Sequence, residues 1–144
     1  MAGYEGQEER TVRASPQACF DALTDYERIP EWQPILRAAR IEERDDRGRG
    51  RVVAYELDAK VKVVRYRLRL SYDEPHAITS EYLDGDFRDF SAEWHFTAVD
   101  DEHTTARLRV VIDPGRFVPG PVRSLVRDAV MTRALRDLDR RVGR

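Results

Sequence analysis

The chain has 144 residues, of which 41% are hydrophobic and 36% charged, and its net charge is −2. This composition is too apolar for a disordered chain and too polar for a membrane protein, and no apolar run approaches the roughly 20 residues that a bilayer span needs. The balance of 25 basic against 27 acidic residues excludes an overall field that attracts nucleic acid or acidic membranes. We therefore expect one globular domain over residues 1–144.

The first part of the chain predicts a strand and two short helices. Residues 8–14 alternate between polar and apolar, as in a strand. The sequence SPQACFDAL predicts a helix with Ser15 as N-cap and Pro16 at the first helical position. A second helical turn over residues 26–29 leads into IPEWQP, whose two prolines constrain the backbone around Trp32.

Six strands are predicted next, because each of these segments ends at a turn signal. They cover residues 35–44, 50–58, 61–71, 76–83, 86–98 and 104–112. Short connections between successive strands predict an antiparallel meander. The inward positions are expected at Val53, Tyr55, Leu57, Val64, Tyr66, Leu68, Leu70, Ile78, Tyr82, Phe90, Ala92, Trp94, Phe96, Leu108, Val110 and Ile112. Outward arginines at 65, 67 and 69 are expected to pair with acids such as Glu56 and Glu81.

A long amphipathic helix is predicted over about residues 120–142. Its apolar stripe consists of Val122, Leu125, Val126, Ala129, Val130, Ala134, Leu135 and Leu138. Its polar face includes Arg123, Arg127, Asp128, Arg133, Asp137 and Arg140. A helix of this length can cross the sheet and cover its inward side.

This order of elements resembles the START-like (SRPBCC) superfamily, the helix-grip fold. The resemblance is to the bacterial polyketide cyclase/dehydrase and lipid-transport branch, which includes coenzyme Q-binding members. It is carried by ASPQACFDALTDYERIPEWQPILRAARI, GDFRDFSAEWHF and FVPGPVRSLVRDAVMTRALRDL. It implies an α+β fold in which a curved antiparallel sheet of about seven strands surrounds the C-terminal helix and a deep apolar cavity. The cavity would hold a lipid, an isoprenoid or an aromatic polyketide.

Candidate ligand-binding residues lie at inward positions or at the expected cavity mouth. Tyr55, Tyr66 and Tyr82 fall on three successive strands, where their hydroxyls either line a cavity or complete an ordinary core. Trp32 is a candidate wall or gate in the resembled fold, and its alternative role is to pack the short helices onto the sheet. The further candidates are Phe90, Trp94, Phe117, Val130 and Ala134.

Arg88, in the sequence DFRDF, is the charged candidate. Without a bulge it shares a face with Phe90 and Trp94, where a guanidinium must be paired or must bind a ligand. A bulge or a strand start at this point would instead place it at the solvent rim. In the alternative role of an aromatase/cyclase or dehydrase, Arg88 with Tyr66 or Tyr82 would be the catalytic candidates, since these groups can polarise a ketone.

The histidines indicate neither a general base nor a metal site. His95 falls on the face opposite Trp94, whereas His76 and His103 lie in turns, and no second ligand stands at zinc spacing. We expect no metal and no cofactor, and the sequence leaves open whether the protein is an enzyme.

The expected partner is a hydrophobic small molecule. Neither nucleic acid nor stable membrane insertion is expected, and the chain is expected to be a monomer or a homodimer. A further alternative is an interaction module, because some coenzyme Q-binding relatives resemble toxins that act on ribosomes. That role would need a basic patch such as Arg123, Arg127 and Arg133.

The N-terminus and the single cysteine indicate a cytoplasmic protein. The sequence MAGYEGQEER lacks the basic and apolar regions of a signal peptide. Cys19 is the one cysteine, so no disulfide can form within the chain, and its place on an apolar helix face predicts a small buried side chain.

Overall fold

The computed structural model describes residues 4–60, 62–115, 120, 127–128 and 133–143. Its strands are β1 (Tyr4–Val12), β2 (Leu36–Arg44), β3 (Gly50–Asp58), β4 (Val63–Asp73), β5 (Ala77–Gly85), β6 (Asp89–Ala98) and β7 (Thr104–Asp113). Its helices are α1 (Pro16–Thr24), a 3-10 helix (Tyr26–Glu31) and α2 (Ala134–Val142). Within the described residues the strands form one curved antiparallel sheet in the order β1-β7-β6-β5-β4-β3-β2, which confirms the predicted meander.

The first helix begins where its capping residues predict. The hydroxyl of Ser15 accepts a hydrogen bond from the backbone N–H of Ala18 at 3.1 Å, and Pro16 follows at the first helical position. Phe20 and Leu23 are buried against the sheet together with Cys19. Local sequence therefore fixes the start of α1, and its apolar face fixes its orientation.

The connector to β2 is more helical than expected. The 3-10 helix extends to Glu31 and includes Pro30, and the N–H of Trp32 donates to the carbonyl of Ile29 at 3.0 Å. Trp32 therefore lies directly after a helical turn, partly buried against the core.

The two faces of the sheet differ as the alternation predicts. The predicted inward side chains are buried, except for Tyr82, Ala92 and Trp94, which are partly buried. On the outer face, Arg65 lies 3.7 Å from Glu56 and Arg69 lies 3.3 Å from Glu81. These exposed pairs stabilise the fold by about 0–1 kcal/mol each, so burial of the inner face is the larger contribution.

Of the predicted C-terminal helix, the structure describes residues 120, 127–128 and 133–142, all of which are helical. In α2, Leu135 and Leu138 are buried, in agreement with the predicted stripe. Asp137 was expected on the polar face, and this prediction is wrong, because its side chain is buried. An ion pair of 2.7 Å between Arg10 and Asp139 joins β1 to α2. Residues 121–126 and 129–132, which carry the rest of the stripe, lie outside the described part.

Arg49 connects α1 to the turns at one end of the sheet. Its guanidinium donates to the hydroxyl of Thr24 at 2.9 Å and to the carboxylate of Glu74 at 2.9 Å. It also lies over the ring of Phe20, 4.9 Å from the ring centroid. Gln17 donates to the same Glu74 oxygen at 3.1 Å. This junction holds α1 over the sheet.

Replacing Glu74 with Gln is expected to lower the melting temperature at neutral pH, and the difference should shrink in acid. Hydrogen bonds from Gln17 and Arg49 lower the pKa of Glu74 from its ordinary value of 4.5. A carboxylate with a lowered pKa contributes stability above its unfolded pKa and loses it as the pH falls through its folded pKa. Thermal unfolding of both proteins from neutral pH into acid measures this. Glu8→Gln, on β1 with no ion pair among the described residues, is the control, and a pH-independent deficit for Glu74→Gln would contradict the assignment.

Candidate ligand-binding cavity

A partly open cavity of about 120 Å³ lies between the inner face of the sheet, the 3-10 helix and α2. Most of its lining is aliphatic and comes from Leu23, Ile29, Ile35, Leu36, Leu57, Leu68, Leu70, Ile78, Leu108 and Val110. The lining residues with polar side-chain atoms are Tyr26, Gln33, Tyr55, Tyr66, Ser80 and Trp94. Among the described residues no charged side chain lines this space.

Five of the predicted site residues meet at this cavity. Tyr55 on β3, Tyr66 on β4, Phe90 and Trp94 on β6 and Ala134 on α2 all line it. The rings of Tyr55 and Tyr66 stack with centroids 5.1 Å apart, and Phe90 lies 5.6 Å from Tyr66. The cross-strand pair of Tyr55 and Tyr66, together with Phe90, therefore forms one wall of the cavity.

Tyr82 and Arg88 do not line the cavity. The hydroxyl of Tyr82 donates to the carbonyl of Phe87 at 2.7 Å, and Tyr82 is not part of the lining. The side chain of Arg88 is 78% exposed, with its Nε 3.7 Å from Asp113. Because β6 begins at Asp89, Arg88 precedes the strand and takes the solvent-rim position, so alternation cannot place it on the inner face.

Trp32 packs against the core, while its neighbours Gln33 and Ile35 line the cavity. This position agrees with the packing alternative, and its role as a gate stays a prediction. The candidates Phe117 and Val130 lie outside the described residues.

Tyr26 is a cavity residue that the sequence reasoning missed. Its hydroxyl is 2.8 Å from that of Tyr72, which itself donates to the carbonyl of Gly50. A phenol has one proton, so Tyr72 uses its own on Gly50 and Tyr26 must donate to Tyr72. Burial, Tyr55 and Tyr72 raise the pKa of Tyr26, and burial raises the pKa of Tyr72 to about 12. The apolar spacing of residues 23, 26 and 29 was the available signal.

Ser80 was also missed, although it lies between the inward residues Ile78 and Tyr82 in the alternation. It is buried and lines the cavity. Its hydroxyl donates to the carbonyl of Ala92 and accepts from the N–H of Ala92, both at 3.1 Å. The hydroxyl of Ser80 is therefore fully engaged with the neighbouring strand.

The hydroxyls of Tyr55 and Tyr66 differ from those of Tyr26 and Ser80. Neither has a hydrogen-bond partner in the described part of the chain. Burial raises the pKa of both, and the nearby phenols of Tyr66 and Tyr72 add to the effect on Tyr55. Both groups therefore stay protonated near neutral pH and can donate to a molecule in the cavity.

Other reactive groups are not arranged for chemistry here. Burial, with a smaller effect from Asp139, raises the pKa of the Cys19 thiol to about 11, so it is not a thiolate at neutral pH. His95 is 3.5 Å from Glu93 on the outer face of the sheet. No group of three His, Cys, Asp or Glu residues within the described ranges is placed to hold a metal ion.

The fold and the cavity define a small α+β protein whose described cavity lining is mainly apolar and carries no charged side chain. The chain belongs to the polyketide cyclase/dehydrase and lipid transport family, whose model matches residues 5–143. This membership confirms the resemblance that the sequence motifs indicated.

Similar solved structures confirm the START-like fold. A START superfamily protein from Mycobacterium smegmatis has a TM-score of 0.84 at 20% identity, with 96% of each chain covered. The Zhui aromatase/cyclase from Streptomyces sp. R1128 has a TM-score of 0.78 at 18% identity, with 96% of this chain and 93% of that chain covered. A protein from Thermus thermophilus has a TM-score of 0.77 at 19% identity, with 96% of each chain covered.

A search among curated proteins finds no significant match. In the described residues, no helix combines the length and apolarity that a bilayer crossing requires.

Replacing Tyr72 with Phe is expected to destabilise the fold by about 0.5–1.5 kcal/mol, because it leaves the carbonyl of Gly50 and the hydroxyl of Tyr26 without their partner. Tyr55→Phe is the matched control and should cause no loss, since its hydroxyl has no partner in the described part. Urea unfolding of both variants gives the comparison. Equal losses in the two variants would show that the Tyr26–Tyr72–Gly50 chain is not stabilising.

Replacing Gly85 with Ala is expected to destabilise the protein by about 2 kcal/mol or more. Gly85 has φ +138°, and a Cβ there would collide with the carbonyl oxygen of Arg65 and lie 2.5 Å from the Cα of Tyr66. Those backbone atoms cannot move without disturbing the cavity wall. Thermal unfolding measures the loss, with Gly48→Ala as the control, because Gly48 has φ +82° and no atom within 4 Å of the added methyl. An equal effect at both sites would mean that backbone strain alone is responsible.

Proposed function

We propose that the protein binds an uncharged hydrophobic small molecule in this cavity and carries or sequesters it. Family membership supports hydrophobic ligand binding or a role in polyketide cyclisation. The observation that favours binding is the lining, which is apolar and has no charged group among the described residues. Burying an ion in such a site is costly, whereas burying apolar surface is favourable.

The size of the cavity limits what it can enclose without rearrangement. An engineered apolar cavity of about 150 Å³ binds benzene, whereas pockets for drug-sized ligands occupy about 300–1,000 Å³. The cavity of about 120 Å³ therefore suits one ring or a short branched chain. A larger lipid or polyketide would require movement of the elements that cover the sheet.

Polyketide cyclisation is the second candidate, because the Tyr55 and Tyr66 hydroxyls could polarise a ketone. It also needs a base near the substrate, and no histidine, carboxylate or lysine belongs to the described lining. Arg88, the predicted donor, lies exposed at the rim. Binding without turnover therefore has the stronger support.

The interaction-module alternative has no comparable support. Arg133 forms a 3.0 Å ion pair with Asp128, which reduces its availability to a nucleic acid. Arg123 lies outside the described residues.

The expected result of solvent extraction and mass spectrometry on natively purified protein is one reproducible apolar compound. Ala92→Leu should abolish its retention, since the larger side chain enters the cavity. Ala98→Leu, exposed at the end of the same strand, is the matched control and should retain the compound. Recovery of the same compound from both variants would place it outside the cavity and contradict the proposal. Conversion of the bound compound on incubation would favour the cyclase role.

A further inference from the structure

We infer that Tyr55 and Tyr66 act as a pair of hydrogen-bond donors that binds one uncharged carbonyl oxygen, and so select aryl ketones over isosteric hydrocarbons and carboxylates. This inference rests on the proposed binding function. It names the polar group of the ligand and the two residues that recognise it.

The two tyrosines are held together by the sheet. They are direct partners in the antiparallel pairing of β3 with β4, and both side chains point to the inner face. Their rings are inclined by 14° with centroids 5.1 Å apart. Hydroxyls at a similar separation can both reach one oxygen, because two hydrogen bonds of about 2.8 Å together exceed that distance.

Other hydroxyls of the cavity are already engaged. Tyr26 donates to Tyr72, and Ser80 donates to Ala92. In the described lining, Tyr55 and Tyr66 are the hydroxyls whose protons have no acceptor among the described residues. The two hydroxyls are not among the fully buried unpartnered atoms, so water can reach them, and a ligand oxygen placed between the two phenols would replace that water.

A carbonyl oxygen fits this pair better than the alternatives. It has two lone pairs and no proton, so it accepts from both phenols and leaves no polar atom of its own unpaired. A ligand hydroxyl would bring a further proton that needs a third partner. A carboxylate would bring a charge into a space where the described lining offers no cation, and desolvation opposes this. A ring on the ligand can pack beside Phe90 and Trp94.

Three probes of nearly equal shape separate the effect of the carbonyl oxygen from the effect of a negative charge. They are acetophenone, α-methylstyrene and benzoate. NMR titration of the ¹⁵N-labelled protein at neutral pH gives a dissociation constant for each probe. Acetophenone and α-methylstyrene should both bind, with shift changes at cavity residues. Benzoate should bind more weakly than acetophenone.

The decisive comparison uses conservative variants. Tyr55→Phe and Tyr66→Phe should each weaken acetophenone binding by about 3- to 10-fold and leave α-methylstyrene binding unchanged. Tyr82→Phe is the matched control, because its hydroxyl is engaged with Phe87 outside the cavity, and it should change neither affinity. Thermal unfolding of each variant verifies that it is folded.

The outcomes distinguish a failure of this inference from a failure of the proposed binding function. If neither acetophenone nor α-methylstyrene binds the wild-type protein, the binding function itself is overturned. If both bind and the two Phe variants retain full acetophenone affinity, binding stands and the donor pair is refuted. Tighter binding of benzoate than of acetophenone would overturn the selection for an uncharged oxygen.

Discussion

The alternation of side chains along a seven-stranded sheet is the constraint on which the rest of the structure depends. One face carries the apolar residues and the other carries paired arginines and carboxylates. A slip of one residue in any strand pair would exchange the two faces, so the register is strongly fixed. The inner face must then be covered, and α1, the 3-10 helix and α2 cover it from the ends of the chain. A cavity remains because a curved sheet and a few helices do not have complementary shapes.

The polar groups near this cavity are of two kinds. Tyr26, Tyr72 and Ser80 satisfy one another or the backbone, and they stabilise the positions of the 3-10 helix, β4, β5 and β6. The hydroxyls of Tyr55 and Tyr66 form no such hydrogen bond with the described residues. Their packing is specified by stacking, by Phe87 and by the close approach of Gly85. A donor without a partner among the described residues is available to a ligand, as the proposed binding function requires.

Sequence reasoning predicted the elements and most of the inner face because both follow from local rules. A capping serine, turn residues and period-2 alternation act over a few residues. Placements that the alternation left open were decided by single residues. Leu83 is an extra residue opposite the step from Arg67 to Leu68, and Tyr82 beside this bulge bonds to Phe87. Arg88 precedes β6. The roles of Tyr26 and Ser80 depend on partners on other elements, which spacing alone cannot identify.

The electrostatic character of the cavity limits its chemistry. Removing a proton next to a ketone requires a donor at the oxygen and a base at the carbon. The described lining supplies two phenolic donors and no group that can accept a proton near neutral pH, since burial raises the pKa of both phenols. Under the proposed binding, these donors would lower the free energy of a ketone and of its enolate, and a proton acceptor would still be needed to convert one into the other. In the proposed role, a ketone held by these donors would stay unchanged unless water, the ligand itself or a group outside the described lining supplied the base.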